Sequence, residues 1–221
     1  MAWTLRSRPI GSIRNVRLAA IAGCAVLLMS GCSHPSTPAK SQQPHVTHVD
    51  DMIVGLSDVR RIAKADDLDR AEADLKKPAP SDANAPEPCR VVGHNELTFG
   101  NNWTEFRSAG YHGVTDDIEP MGRAMVNGVT QAAGRYANPD AAQGAFRQLE
   151  SSLHACMDLH DPNYSFALDK PDPSTLRLSA HQWSHLYRIE SAVLVSVGVV
   201  GLEASDQIAN SVLQIITDRI N

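Results

Sequence analysis

The sequence predicts an α+β domain: an antiparallel β-sheet with helices packed on one face, a cleft and one disulfide. Three observations carry this. Strand-like stretches follow one another in the C-terminal half without the strict βαβ alternation of a parallel sheet. Val193, Val195, Val197 and Val199 alternate, as one buried sheet face requires. Two long stretches, from Asn138 and from Ser205, carry apolar residues at helical spacing.

The elements follow in order. Ser57 is placed to cap a short helix in which Val59 and Ile62 face one way. Asp67 to Lys77 suits a second helix, with Leu68, Ala71 and Leu75 on one stripe. Prolines make residues 78–88 a loop. Strands are expected near 89–99, 102–110 and 123–136. Asn138-Pro139-Asp140 is a helix start, with Asn as cap, Pro at the first position and Asp against the dipole. That helix carries Ala142, Phe146, Leu149, Leu153, Cys156 and Met157 on its core side. Residues 164–169, 174–180, 181–189 and 192–200 read as strands. Ser205 then opens a closing helix with the stripe Ile208, Val212, Ile215, Ile216 and Ile220.

The N-terminus reads as an address. Residues 1–31 form a lipoprotein signal: a basic stretch, then an apolar run of 12 residues from Leu18 to Met29. A bilayer span needs about 20. The run ends Leu28-Met29-Ser30-Gly31-Cys32, which resembles the bacterial lipobox, with Cys32 receiving diacylglycerol. An ordinary signal peptide with an incidental cysteine is the competing reading. Two acyl chains anchor stably at about 0.8 kcal/mol per buried methylene. Cys32 and the Pro/Ser-rich stretch to residue 49 form a tether. As a coil it holds the domain, residues 50–221, roughly 20–25 Å from the lipid. The expected location is the cell membrane, lipid-anchored and facing outside the cytoplasm.

The chain has 221 residues, 43% hydrophobic and 20% charged, enough for one cored domain. The signal region holds four arginines and no acid, so without those four cations the net charge of −5 becomes −9. Such acidity argues against nucleic acid as a partner. Of four cysteines, Cys24 leaves with the signal and Cys32 takes the lipid. Cys89 and Cys156 remain in an exported domain and are expected to pair; two free buried thiols are the alternative.

A family resemblance rests on an ordered set of motifs. After the tether come Leu56-Ser57-Asp58-Val59, Pro86-Glu87-Pro88-Cys89 and Phe99-Gly100-Asn101-Asn102-Trp103. Val129-Thr130-Gln131-Ala132-Ala133-Gly134-Arg135-Tyr136 and Asn138-Pro139-Asp140-Ala141-Ala142 follow, then a helix ending in Cys156. A strand with Trp183, a valine strand and an amphipathic helix close the chain. This order resembles the extracellular sensor domain of the mycobacterial receptor Ser/Thr kinase H, over about residues 50–221. The resemblance implies a helix-and-antiparallel-sheet domain with a broad cleft for an extracellular ligand and no catalysis. It also implies a second disulfide in the C-terminal half, which this sequence lacks, since no cysteine follows Cys156.

Candidate ligand contacts lie in His181-Gln182-Trp183-Ser184-His185-Leu186-Tyr187. As a strand it puts His181, Trp183, His185 and Tyr187 on one face. A tight turn at Glu190-Ser191 would set Leu194, Ser196 and Gly198 beside them, and small residues beside Trp183 leave a groove. Trp183 could stack on a sugar or hold an amphipathic ligand. Packing under a loop or helix is the competing reading. The two histidines are a weak metal pair without a third ligand; if exposed they would titrate near 6.5 and sense acidification. No catalytic motif, metal site or cofactor motif is found, so neither an enzyme nor a cofactor is expected. Two function classes remain: a ligand-binding sensor lipoprotein, or a docking module that modulates an envelope protein or a receptor kinase.

Overall fold

The computed structural model describes residues 48–71, 74–115 and 125–220. The signal region, Cys32 and nearly all of the tether lie outside them. Residues 42–221 form one compact unit that contains both apolar cores and the disulfide, so it can be produced by itself.

Seven strands form one sheet: β1 (Asp69–Arg70), β2 (Trp103–Thr115), β3 (Met125–Tyr136), β4 (Ala167–Asp172), β5 (Thr175–Ala180), β6 (Trp183–Glu190) and β7 (Val193–Val200). Their order is β1-β2-β3-β7-β6-β5-β4, and every pairing is antiparallel. Four helices join them: α1 (Leu56–Ala63), α2 (Asn95–Phe99), α3 (Pro139–Asp158) and α4 (Ser205–Ile220).

The α+β class, the antiparallel sheet and the disulfide are as the sequence predicts. The helices, expected on one face, are divided between two. Val193, Val195, Val197 and Val199 pack with Ile208, Val212 and Ile216 of α4 and with Val59 of α1. Leu194 points the other way and packs with Phe146, Leu149 and Leu153 of α3. This is why β7 is apolar at nearly every position: a central strand covered on both sides has no solvent face. Each fully buried Leu, Ile or Phe contributes about 1.5–3 kcal/mol. We call these the valine face and the Tyr187 face.

The N-terminal half departs from expectation twice. Asp67 to Lys77 is not a helix: Asp69–Arg70 pairs with Tyr111 and His112, and Leu75 bridges to Ser108. The segment is the sheet's edge, and pairing with β2 overrides a stripe that is helical only in spacing. Residues 89–99 are not a strand. Glu87–Val91 is a 3-10 turn that starts behind Pro86, followed by α2. Ser57 lies inside α1, whose cap position is Gly55. Asn138 does cap α3, its side chain accepting from the Ala141 N–H at 2.9 Å. Val49, one residue before the expected start of the domain, is buried.

Cys89, in the 3-10 turn, is bonded to Cys156 near the end of α3, with Cα atoms 4.7 Å apart. The bond holds the turn and α2 over the Tyr187 face. There Phe99 of α2 lies on Gly134: a Cβ at Gly134 would stand 2.5 Å from the ring. The same ring meets Phe106 edge-on, centroids 5.0 Å apart.

On the valine face the N-terminal segment is fastened by polar groups. The Gln131 amide donates to the Val54 carbonyl at 2.7 Å and accepts from its N–H at 2.8 Å, imitating a strand partner. Tyr111 donates to the same carbonyl at 2.9 Å. Arg219 of α4 donates to the Ile53 carbonyl at 2.8 Å.

Candidate functional site

Antiparallel register sorts the Tyr187 face into rows across β2, β3, β7, β6 and β5. Phe106, Gly134, Leu194 and Ile189 form one row; Ser108, Ala132, Ser196, Tyr187 and Leu176 form the next. Both are buried beneath α2 and α3. The third row is Gly110, Thr130, Gly198, His185 and Leu178; the fourth is His112, Gly128, Val200, Trp183 and Ala180. Here the cover thins. Thr130 and His112 are exposed, and Trp183 is half-buried. Val200 is 44% exposed, and beyond it Val126 and its partner Val114 are 57% and 48% exposed.

The hairpin β6–β7 has the predicted pairing: Trp183, His185 and Tyr187 stand beside Val200, Gly198 and Ser196. Two candidates fall outside the open rows. His181 sits in the exposed turn before β6, not on the strand. It therefore does not share a strand face with His185, and the two make no metal pair. Tyr187 is fully buried, and its hydroxyl accepts from the Gly93 N–H at 3.3 Å. Burial pushes its phenol up to about 12, so it stays protonated.

His185 is the informative residue. It is 4% exposed, stacks on Tyr187 with centroids 4.4 Å apart, and its Nε2 lies 2.8 Å from Ser196 Oγ. Burial drives the imidazole down to about 3, so it is neutral and does not sense mild acidification. With Nε2 engaged by the serine, Nδ1 has no hydrogen-bond partner among the described residues. It points over Gly198: a Cβ there would stand 2.8 Å from Nδ1 and 2.7 Å from Thr130 Oγ1. A side chain at 198 would collide with both polar atoms; glycine lets Thr130 and His185 close on the strand from either side, and we call this place the notch. Trp183 forms one wall, its ring 6.1 Å from His185 and 6.3 Å from Phe166.

Sequence reasoning missed Thr130, because its place beside Gly198 depends on the pairing of β3 with β7, two strands separated by α3, β4, β5 and β6. It also missed the exposed valines, which read as ordinary strand residues.

Two cavities lie elsewhere. One of about 890 Å³ on the valine side is lined by Lys64, Asp67, Asn127, Glu203 and Asp206. The unpartnered Asn127 Oδ1 in its wall is sealed from solvent, so a guest there could not reach it. The other, about 350 Å³, lies at the start of β2 beside Trp103 and Glu105. Neither of these two touches Trp183. Among the described residues no group of three or more His, Cys, Asp or Glu is placed to hold a metal ion. Among them, too, no helix is long and apolar enough to cross a membrane.

The sequence profile of the PknH-like extracellular domain matches residues 44–219. Comparison with curated proteins returns no match. Among solved structures, the crystal structure of the extracellular domain of PknH from Mycobacterium tuberculosis is similar, with a TM-score of 0.57 and 14% identity. The alignment covers 78% of this chain and 94% of that one, which shows a shared fold. Its profile match spans the whole described sheet and all four helices but for the last residue of α4, and the chain belongs to the family of PknH-like extracellular domains.

Proposed function

We propose that this chain is a lipid-anchored envelope protein whose domain binds an extracellular ligand, without catalysis, on the open rows of the Tyr187 face. The observation that carries the reading is Trp183 beside the unpartnered Nδ1 of His185, an atom not sealed from solvent, on a face whose cover stops halfway.

The test is native mass spectrometry of residues 42–221 after incubation with cell-envelope extract. A discrete adduct that disappears in Trp183→Ala supports the reading; an adduct indifferent to that change removes it. For the anchor, cells fed a palmitate analogue should label the full chain and not Cys32→Ser. The exposed valines Val114, Val126 and Val200 favour a second reading, a face that docks another envelope protein or a receptor kinase. In-cell crosslinking from position 126 would then capture one protein in place of a small adduct.

A further inference from the structure

We propose that the notch formed by Thr130, Gly198 and His185, walled by Trp183, takes one neutral polyhydroxylated ring of a carbohydrate. The inference rests on the ligand-face reading above and names its chemical class.

Four observations point to a sugar. First, Thr130 Oγ1 and His185 Nδ1 stand 2.7 and 2.8 Å from the place a Cβ of Gly198 would take, so the two polar atoms are close enough for one group above them to bridge. Second, both have hydrogen-bonding capacity to give. Nδ1 has no partner among the described residues, and Thr130 Oγ1 makes only a long contact of 3.4 Å to the Gly198 carbonyl. A hydroxyl donates and accepts, so it can satisfy the imidazole in either tautomer. Third, the tryptophan beside the notch is half-buried and offers part of its ring for stacking against the C–H face of a sugar. Fourth, from β2 to β5 the third and fourth rows hold no Asp, Glu, Lys or Arg, and the fourth meets Asp69 only on β1, at the sheet's edge four strands from Trp183. A phosphate, carboxylate or ammonium would find no counter-charge there, and an acyl chain would leave the polar pair unsatisfied. A neutral ring with adjacent hydroxyls satisfies both conditions.

The test uses residues 42–221 and the methyl glycosides of glucose, mannose, galactose and arabinose, followed by NMR. The expected result is saturable, about millimolar binding of at least one glycoside, as suits a single ring on an open surface. Shifts should be confined to the Trp183 indole N–H and the amides of Thr130, His185 and Gly198. Thr130→Val keeps the shape of an exposed side chain, and it should weaken binding about tenfold through one lost hydrogen bond. Gly198→Ala should abolish binding, and the spectrum reports whether that variant is folded. Binding that Thr130→Val leaves unchanged, or shifts lying elsewhere, overturns the proposal. So does silence from all four glycosides. Decanoate separates the two failures. If decanoate shifts Trp183 and the glycosides do not, the carbohydrate class falls and the ligand face stands. If neither shifts Trp183, both fall.

Discussion

On the valine face of the sheet, α4 and the N-terminal segment cover the strands, and three polar side chains fasten that segment, while Asn127 Oδ1 and Ser184 Oγ are sealed in without a hydrogen-bond partner. Gln131 and Tyr111 close on Val54, and Arg219 closes on Ile53. On the Tyr187 face the same strands are covered for two rows only. Past them stand exposed valines, a half-buried tryptophan and an imidazole with one nitrogen unused. An unmade hydrogen bond in a buried group costs about 1–3 kcal/mol. The two faces share strands, twist and register. The difference teaches that the spare polar atoms of the valine face are sealed from solvent, whereas on the Tyr187 face the spare imidazole nitrogen stands where the cover stops and a ligand would meet it.

The first way to sharpen the contrast is in the covered half of the Tyr187 face. Phe146 of α3 is fully buried against the sheet. Phe146→Ala should cost about 3–5 kcal/mol in urea unfolding, since it removes an aromatic anchor and leaves a cavity. Next comes the staple. Reducing Cys89–Cys156 opens a loop with a sequence separation of 67. By the chain-entropy relation that is about 4 kcal/mol, seen as a clear fall in Tm in reductant. An unchanged Tm would mean that the bond does not hold α2 and its turn in place.

His185 supplies the third test. Its folded-state value of about 3 lies below the ordinary 6.5. The unfolded chain therefore takes up a proton below pH 6.5 while the folded one does not. The neutral imidazole contributes its full stability above pH 6.5, and that contribution is lost as pH falls toward 3. The slope is at most about 1.4 kcal/mol per pH unit. Unfolding measured from pH 7 down to 4.5 should steepen accordingly, and His185→Phe should flatten the profile. The smallest effect belongs to the open rows. Val200→Thr on the exposed strand end should change stability by less than about 0.5 kcal/mol. A large loss there would mean that Val200 is core and that the face is closed.

Legibility follows the distance over which each element is decided. The C-terminal hairpin β6–β7 is local. Alternating valines and a tight turn at Ser191, which adopts φ 55°, set its register, so His185 and Gly198 were paired from sequence. Asn138-Pro139 marked α3 for the same reason. The edge segment was misread because Leu68, Ala71 and Leu75 suit a helix when taken alone. Their state is decided by β2: the Ala71 N–H donates to the Gly110 carbonyl at 2.9 Å, and Leu75 to that of Ser108 at 3.1 Å. Residues 89–99 were misread because Val91 and Val92 look strand-like, whereas Pro86 and the bond from Cys89 to α3 set a 3-10 turn. Half of the notch, His185 and Gly198, was visible in the hairpin. Thr130 was not, because only the long-range pairing of β3 with β7 brings it there. The division of helices between faces was hidden in the same way, since alternation names two faces without saying which helix covers each.

The most direct measurement is hydrogen exchange of residues 42–221, with and without cell-envelope extract, read by mass spectrometry of peptides. The account predicts added protection at 126–130, 183–187 and 196–200, with none at 62–67 or 203–208. Protection of the last two segments alone would place the ligand in the cavity between α1 and α4 and contradict the account.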